Sequence, residues 1–255
     1  MKSKFLLLDV GNTHTHLGLA DSRRILRQHN MSTLDWKSPG RALKKLLEFL
    51  GSESGVSGCA LCSVVPAVTP VIRSTILKKW KLEPLVLSPS TVTGVGIDYP
   101  KPATIGPDRL ANAVAAHHHH GAPSVVVDFG TAVTFDVINR KGDYVGGIIA
   151  PGLSVMTDYL HEKTALLPRI QIRDEKAIIG KNTEQAMMIG AVHGYRGLVR
   201  ELILQLKREL GVRKLPVIAT GGYAQLMAKG LPEITEINPV LTLEGLRLTL
   251  LRRQQ

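Results

Sequence analysis

Residues 6–13 read Leu-Leu-Leu-Asp-Val-Gly-Asn-Thr, and residues 125–132 read Val-Val-Val-Asp-Phe-Gly-Thr-Ala. Moving the first stretch by 119 positions sets Asp9 on Asp128, Gly11 on Gly130, Asn12 on Thr131 and Thr15 on Thr134. Each copy is an apolar run, an acid, a glycine and small residues, followed by a second alternating run. That is the pattern of a β-hairpin whose tight turn holds a carboxylate at its mouth. Asp-x-Gly turns are common, so a single copy reads as structure. Two copies, each closing a fully apolar strand, read as function. Gly11 and Gly130 are expected to supply φ > 0 and close backbone approach. The turn N–H groups, with Asn12, Thr13 and Thr131 beside them, suit phosphate oxygens. Asp9 and Asp128 would repel a phosphate and make sense beside Mg²⁺, its waters or another cation. The expectation is two turns that face each other, with a nucleotide's phosphates and their metal between them.

Outward from the first hairpin, with strands at 4–10 and 14–21, Ser38-Pro39 predicts a helix start. Leu43, Leu46, Leu47 and Leu50 share one face of that helix. A strand at 57–64, a helix at 67–80 and a strand at 83–87 follow, an alternation that signals βα crossovers and a partly parallel sheet. Residues 88–107 form a long Gly, Pro, Ser and Thr-rich loop, and long ordered loops are often functional. The loop ends at Asp108, where a helix over 108–118 begins. An N-cap role for Asp108 is compatible with a functional one. The second half repeats the scheme, with strands at 124–129, 132–138 and 144–150, helices at 153–163 and 183–210, and a strand at 215–220 that runs into Gly221-Gly222. A final helix at 242–253 spaces Leu243, Leu246 and Leu250 for a partner face. The reading is an α/β protein of two similar halves, residues 1–115 and 116–241, with 242–255 packing back on the first.

The 255 residues are 44% hydrophobic, with a mean hydropathy of +0.07. No apolar run approaches the ~20 residues of a membrane span. The N-terminal apolar run stops at Asp9 after a few residues, which is a strand and not a signal peptide, so cytoplasm is expected and a membrane is not. The net charge is +11, but the bases are scattered and only 4% of residues are aromatic. That favours a solvated surface attracting anionic substrates over nucleic acid. Cys59 and Cys62 sit three apart on a predicted strand and so point to opposite faces, as two core thiols. His117 to His120 cannot share one metal on a helix and read as a solvated helix end.

Six blocks stand in order: Asp9-x-Gly11-Asn12-Thr13; Gly106-x-Asp108-Arg109 with Asn112 to Ala116; Asp128 to Ala132; Gly146 to Gly152; Gly180 to Thr183; and Ala219 to Gly222. Together they closely resemble the type III pantothenate kinases, from the first strand to the last helix. The resemblance implies two ribonuclease-H-like domains around a central cleft, the actin/Hsp70/sugar-kinase architecture. It implies ATP-dependent phosphorylation of pantothenate to 4′-phosphopantothenate, the first step towards coenzyme A. On the same basis Asp9, Val10, Gly11, Asn12, Thr13, His14, Thr15 and His16 form the first phosphate loop, and Thr131 contacts ATP. Asp108 matches the catalytic base. Tyr99, Gly106, Pro107, Asp108, Arg109 and Thr183 match substrate-binding positions. Asp128 matches the holder of a monovalent cation, K⁺ or NH₄⁺. Mg²⁺ comes with the nucleotide, near Asp9 through water. The family forms homodimers through the second domains, with the Thr183 position reaching the neighbour's site.

The residues also support the chemistry by themselves. Arg109 offers a planar fork for an anionic substrate, and Asp108 offers a base for an alcohol. Three positions depart from the family pattern. Pro107 cannot donate a backbone hydrogen bond, His14-Thr15-His16 is unusual beside the first loop, and Val133 replaces a small polar residue. The rival readings are a related kinase of a sugar or small alcohol, a simple ATPase, and a non-catalytic regulator that binds nucleotide or DNA. The intact pair Asp108-Arg109 argues for the kinase.

Overall fold

A computed structural model describes residues 3–51 and 55–254. Met1, Lys2 and Gln255, which the predicted halves include, lie outside the described residues. The chain divides into two compact units, Met1–His119 with Val240–Gln255, and His120–Pro239.

In the first unit β1 (Lys4–Val10) and β2 (His14–Ala20) form the expected hairpin, with Asp9 opposite His16 and Val10 opposite Thr15. A third strand, β3 (Ile25–Ser32), pairs antiparallel with β2 and was not foreseen. It is followed by a 3₁₀ turn, Thr33–Lys37, and by helix α1 (Pro39–Leu50). Then come β4 (Val56–Ser63), α2 (Thr69–Trp80), β5 (Leu85–Val86), the two-residue β6 (Gly96–Ile97) and α3 (Pro107–His120). The sheet runs β3-β2-β1-β4-β5, with β4 parallel to β1.

β1 is apolar on both faces because both are covered. Leu6, Leu8 and Val10 face a core with Trp36, Leu46, Phe49, Ile72 and Ile76 of the 3₁₀ turn, α1 and α2. The other face meets α8 (Leu241–Arg253), which packs on β1, β2 and β4. Of the expected apolar face of α1, Leu46 and Leu50 are buried, whereas Leu47 is exposed and Ala42 and Phe49 take up the contact. Ser38 stands at the N-cap of α1 but makes no side-chain cap bond.

The second unit repeats the plan. β7 (Ser124–Phe129), β8 (Ala132–Ile138) and β9 (Asp143–Pro151) form an antiparallel meander. Next come α4 (Leu153–Lys163), α5 (Thr183–Ile189), one π-helical turn at Gly190–Gly194, and α6 (Tyr195–Glu209). The predicted helix over 183–210 is thus one run interrupted by that turn. β10 (Val217–Thr220), α7 (Ala224–Ala228) and β11 (Glu236–Ile237) complete the unit. Its strands follow the order β11-β10-β7-β8-β9, with β10 parallel to β7. Position by position this is the order of the first sheet. Among the described residues no helix is long and apolar enough to cross a membrane.

Candidate active site

Along β1, side chains alternate between faces, so Asp9 points to the side on which α8 packs. The parallel neighbour of Asp9 on β4 is Cys62, and the Cys62 thiol donates to Asp9 Oδ1 at 3.3 Å. Cys59 points to the opposite core, as expected. Cys62 is a core thiol too, but the expectation missed its contact with Asp9. The signal that could have found it is the register of two adjacent parallel strands, which sequence spacing does not supply.

Helix α3 brings Asp108 to the same place. Its middle, Leu110 to Ala116, is buried. A Cβ on Gly245 of α8 would lie 1.9 Å from the Ala111 carbonyl oxygen, so the two helices touch backbone to backbone. Thr242 Oγ1 donates to Asn112 Oδ1 at 2.8 Å across the same contact. Asp108 is not the N-cap: the helix begins at Pro107, and Asp108 lies inside its first turn. Its Oδ1 accepts the Arg109 backbone N–H at 2.9 Å. Gly106 makes room for that carboxylate, since a Cβ there would stand 2.5 Å from Asp108 Oδ1. Pro107 takes the first helical position, where a missing N–H leaves no helical bond unmade.

Burial, first, and the negative charge of Asp108, second, push the Asp9 carboxyl up to about 7, against the pull of the Cys62 hydrogen bond. Burial also raises the Asp108 carboxyl, with the Arg109 N–H and guanidinium working the other way. The Cys62 thiol is held well above its ordinary value by burial and by both carboxylates. His16 Nδ1 lies 3.8 Å from Asp9 Oδ2, and burial together with His14 lowers its pKa.

The first loop corrects one expectation, on its glycines. Gly11 and Gly130 both have φ outside the positive range. Gly11 is needed for closeness, because a Cβ there would meet the His14 carbonyl oxygen at 3.1 Å. Thr15 is fully buried; its hydroxyl accepts from the Trp36 indole and contacts Thr33. The Val10 side chain is also buried, in the core. Asn12, Thr13 and His14 are exposed.

In the second unit Asp128 pairs with Thr220 on the parallel strand, and Gly221, at φ +89°, follows it. A Cβ on Gly221 would stand 2.4 Å from Asp128 Oδ1. Gly152, before α4, donates its N–H to the Thr131 carbonyl at 3.0 Å, and a Cβ there would lie 2.2 Å from that oxygen. Asp128, Gly130, Thr131, Gly152 and Gly221 therefore form one corner with Thr131 exposed on it. Thr183 is exposed at the start of α5, which Asn182 caps through Gln185 N at 2.8 Å. Beside it a cleft of about 210 Å³ is lined by Arg173, Glu175, Asn182, Glu184, Gln185 and Met188. Tyr99 is half-buried in the loop before α3.

The histidine run is less solvated than expected. His118 and His119 are exposed, but His117 Nδ1 lies 3.0 Å from the Gly94 carbonyl oxygen and His120 Nε2 lies 3.7 Å from Glu236.

The family model of the type III pantothenate kinases matches residues 5–205. The chain is 47% identical over 244 residues to the type III pantothenate kinase of Akkermansia muciniphila, covering 96% of this chain and 97% of that protein. Among solved structures, a conserved protein of Campylobacter jejuni described as a Baf family transcriptional activator superposes with a TM-score of 0.63 at 19% identity, over 98% of each chain. An inorganic polyphosphate/ATP-glucomannokinase from Arthrobacter sp. strain KM superposes with a TM-score of 0.51 at 13% identity, over 99% of this chain and 100% of that one. At such identities the likeness is one of fold, and the fold is that of the sugar-kinase class, as expected.

Proposed function

The chain belongs to the type III pantothenate kinase family, and from that premise we propose that it transfers the γ-phosphoryl group of ATP to the primary hydroxyl of pantothenate, with Asp108 as general base. The observation that carries the assignment is the pairing of Asp108 with Asp9 beside the first hairpin loop: one carboxylate serves the alcohol and the other serves the nucleotide side. Asp108 takes the hydroxyl proton as the oxygen attacks phosphorus. Burial raises its pKa from the ordinary carboxyl value, which makes it a stronger base than an exposed carboxylate. Arg109, next along the helix, holds the substrate's carboxylate with its planar fork. Gly106, Pro107 and Tyr99 complete the substrate contacts, and Thr183 serves the site of the neighbouring copy. Gly11, Asn12, Thr13 and His14 receive phosphate oxygens, and Thr131 is a contact for ATP.

Asp9 suits a neighbouring cation, because positive charge would relieve both its burial and its repulsion by Asp108. Among the described residues no three His, Cys, Asp or Glu side chains gather into a metal cage. A Mg²⁺ would therefore share Asp9 through water and take its other oxygens from the nucleotide, as this ion commonly does. Bound there, it neutralises phosphate charge. Asp128, an oxygen donor beside the bare backbone of Gly221, suits a monovalent cation, K⁺ or NH₄⁺. A homodimer in the cytoplasm completes the proposal. The second unit exposes Val155, Tyr159 and Leu160 on α4 and Leu166, Ile178 and Ile179 beyond it, an apolar surface that a second copy would cover.

The test is ADP release by the purified protein. Release should require pantothenate and increase with added potassium. Equal release without pantothenate would make the protein an ATPase, and turnover of a sugar in its place would make it a related kinase. Sedimentation of a Tyr159→Glu variant as monomer, against a dimeric wild type, checks the assembly.

A further inference from the structure

The first loop is tied to the core by a chain of hydrogen bonds whose direction is fixed. Thr33 Oγ1 donates to the Gly11 carbonyl at 2.7 Å. Its single proton is thereby committed, so in the 3.1 Å contact between Thr15 Oγ1 and Thr33 Oγ1 it is Thr15 that donates. Thr15 in turn accepts the Trp36 indole N–H at 3.1 Å. The order is Trp36 to Thr15 to Thr33 to Gly11, and Trp36 and Thr15 are both fully buried. A chain of this kind, with every donor matched, is rigid, and each link strengthens the next. A second tie lies beside it, from the Thr33 N–H to the Thr13 carbonyl at 3.0 Å.

The consequence lies at Asn12. A trans peptide points its N–H opposite to the preceding C=O. With the Gly11 carbonyl drawn onto Thr33, the Asn12 N–H faces away from the core. Nothing in the turn's own pairing needs that orientation: the hairpin closes through the Gly11 N–H to the His14 carbonyl at 2.9 Å.

We propose that Thr33, Thr15 and Trp36 are positioning residues for the nucleotide, a one-way hydrogen-bond chain that ends on the Gly11 carbonyl and aims the Asn12 amide at a phosphate oxygen. This rests on the reading of Gly11–Thr13 as the phosphate loop. The effect of breaking a link should diminish with its distance from Gly11. Thr33→Val removes the bond to Gly11 and should raise KM for ATP roughly tenfold while kcat stays within about twofold. Thr15→Val should act more weakly and Trp36→Phe least, and Thr33→Ser should restore wild-type KM.

Trp36 supplies a readout separate from turnover. The chain has two tryptophans, Trp36 and Trp80. In a Trp80→Phe background the Trp36 emission should change on ATP binding, and Thr33→Val should abolish the change. Asn12→Asp tests the underlying reading, because an added carboxylate on a phosphate loop should raise KM for ATP at least about tenfold. If Asn12→Asp leaves KM unchanged, the loop reading falls and the chain's role with it. If Asn12→Asp raises KM but Thr33→Val does not, the reading stands and the chain is only structural. A Thr33→Ser protein no better than Thr33→Val would show that packing, not the hydroxyl, is at work, and would overturn the proposal.

Discussion

At Gly11–Thr13 the turn is braced by side-chain hydroxyls; at Gly130–Thr131 it is braced by bare backbone. The two hairpins share their acid, their glycine and their place at the end of the first strand of each sheet. Yet Thr15 in the first carries a buried hydroxyl, while Val133 in the second fills the corresponding place with a buried apolar side chain. The second turn is instead pressed between Gly152 and Gly221. The acids differ in company as well. Asp9 has the Cys62 thiol and the charge of Asp108, whereas Asp128 has the unsubstituted Gly221. A repeated fold therefore keeps the position of its carboxylates while changing how the turns beside them are braced: hydroxyls in one unit, close backbone in the other.

The hardest break of this contrast is removal of the carboxylate found only beside the first loop. Asp108→Asn should lower kcat by ~10²–10⁴-fold, about 3–5 kcal/mol at 1.36 kcal/mol per tenfold, with the fold intact by circular dichroism. Near-normal pantothenate-dependent turnover in that variant would remove Asp108 from the mechanism.

The acid pair also predicts a pH dependence of stability. Asp9 in the folded protein titrates at about 7, against an ordinary value of 3.8. A raised carboxyl favours the folded state below the ordinary value, and this contribution is lost as pH rises through about 7. Three units at 1.36 kcal/mol each set an upper bound of about 4 kcal/mol. Asp108 shifts in the same direction. Urea unfolding of metal-free protein should therefore show wild type losing stability relative to Asp9→Asn between pH 4 and pH 8. Parallel profiles would show that Asp9 is better solvated than its surroundings suggest.

The duplicated hairpins, the βα alternation and the opposite faces of the two cysteines were legible in the sequence because each is a pattern of period two or of strand ends. The braces were not. β3 is an edge strand that is mostly exposed, so Leu26 to Asn30 show no buried alternation, and with β3 the 3₁₀ turn bearing Thr33 and Trp36 was lost. The constant offset of 119 also fails past the loop. The first turn closes from Gly11 N to His14 O, the second from Gly130 N to Ala132 O, one residue sooner. Beyond the turn the counterpart of Thr15 is thus Val133, and the partner of Asp128 across the hairpin is Thr134 as His16 is of Asp9. A one-residue difference in a turn leaves no trace in composition. Glycines were expected to matter for φ, but positive φ falls on Gly221 and not on the two loop glycines, a distinction that depends on what packs against the chain.

Glycine replacements would sharpen the steric half of the comparison. Gly221→Ala must combine a positive φ with a Cβ 2.4 Å from Asp128 Oδ1, and Gly152→Ala places a Cβ 2.2 Å from Thr131 O. Each should cost about 2–3 kcal/mol in urea unfolding, from overpacking and, at Gly221, backbone strain. Gly11→Ala meets one carbonyl at 3.1 Å without a positive φ and should cost less than about 1 kcal/mol. Equal losses at all three sites would erase the distinction between a hydroxyl-braced and a glycine-braced turn.

The smallest effect belongs to Cys62. It occupies the place on β4 that Thr220 occupies on β10, each the parallel neighbour of its unit's acid. A thiol is a weak donor, so its bond to Asp9 should be worth no more than an ordinary net hydrogen bond, about 0.5–1.5 kcal/mol. Cys62→Ser keeps a donor of nearly the same size and should favour ionised Asp9 at least as well, so its stability should fall less steeply as pH rises towards 8. Cys62→Ala removes the donor and should fall more steeply, by about 1 kcal/mol over the same range. Cavity formation lowers stability at every pH alike, so only the difference in slope reports the hydrogen bond. Identical slopes for the serine and alanine variants would make Cys62 core filling, and the company of Asp9 would then reduce to Asp108 and burial.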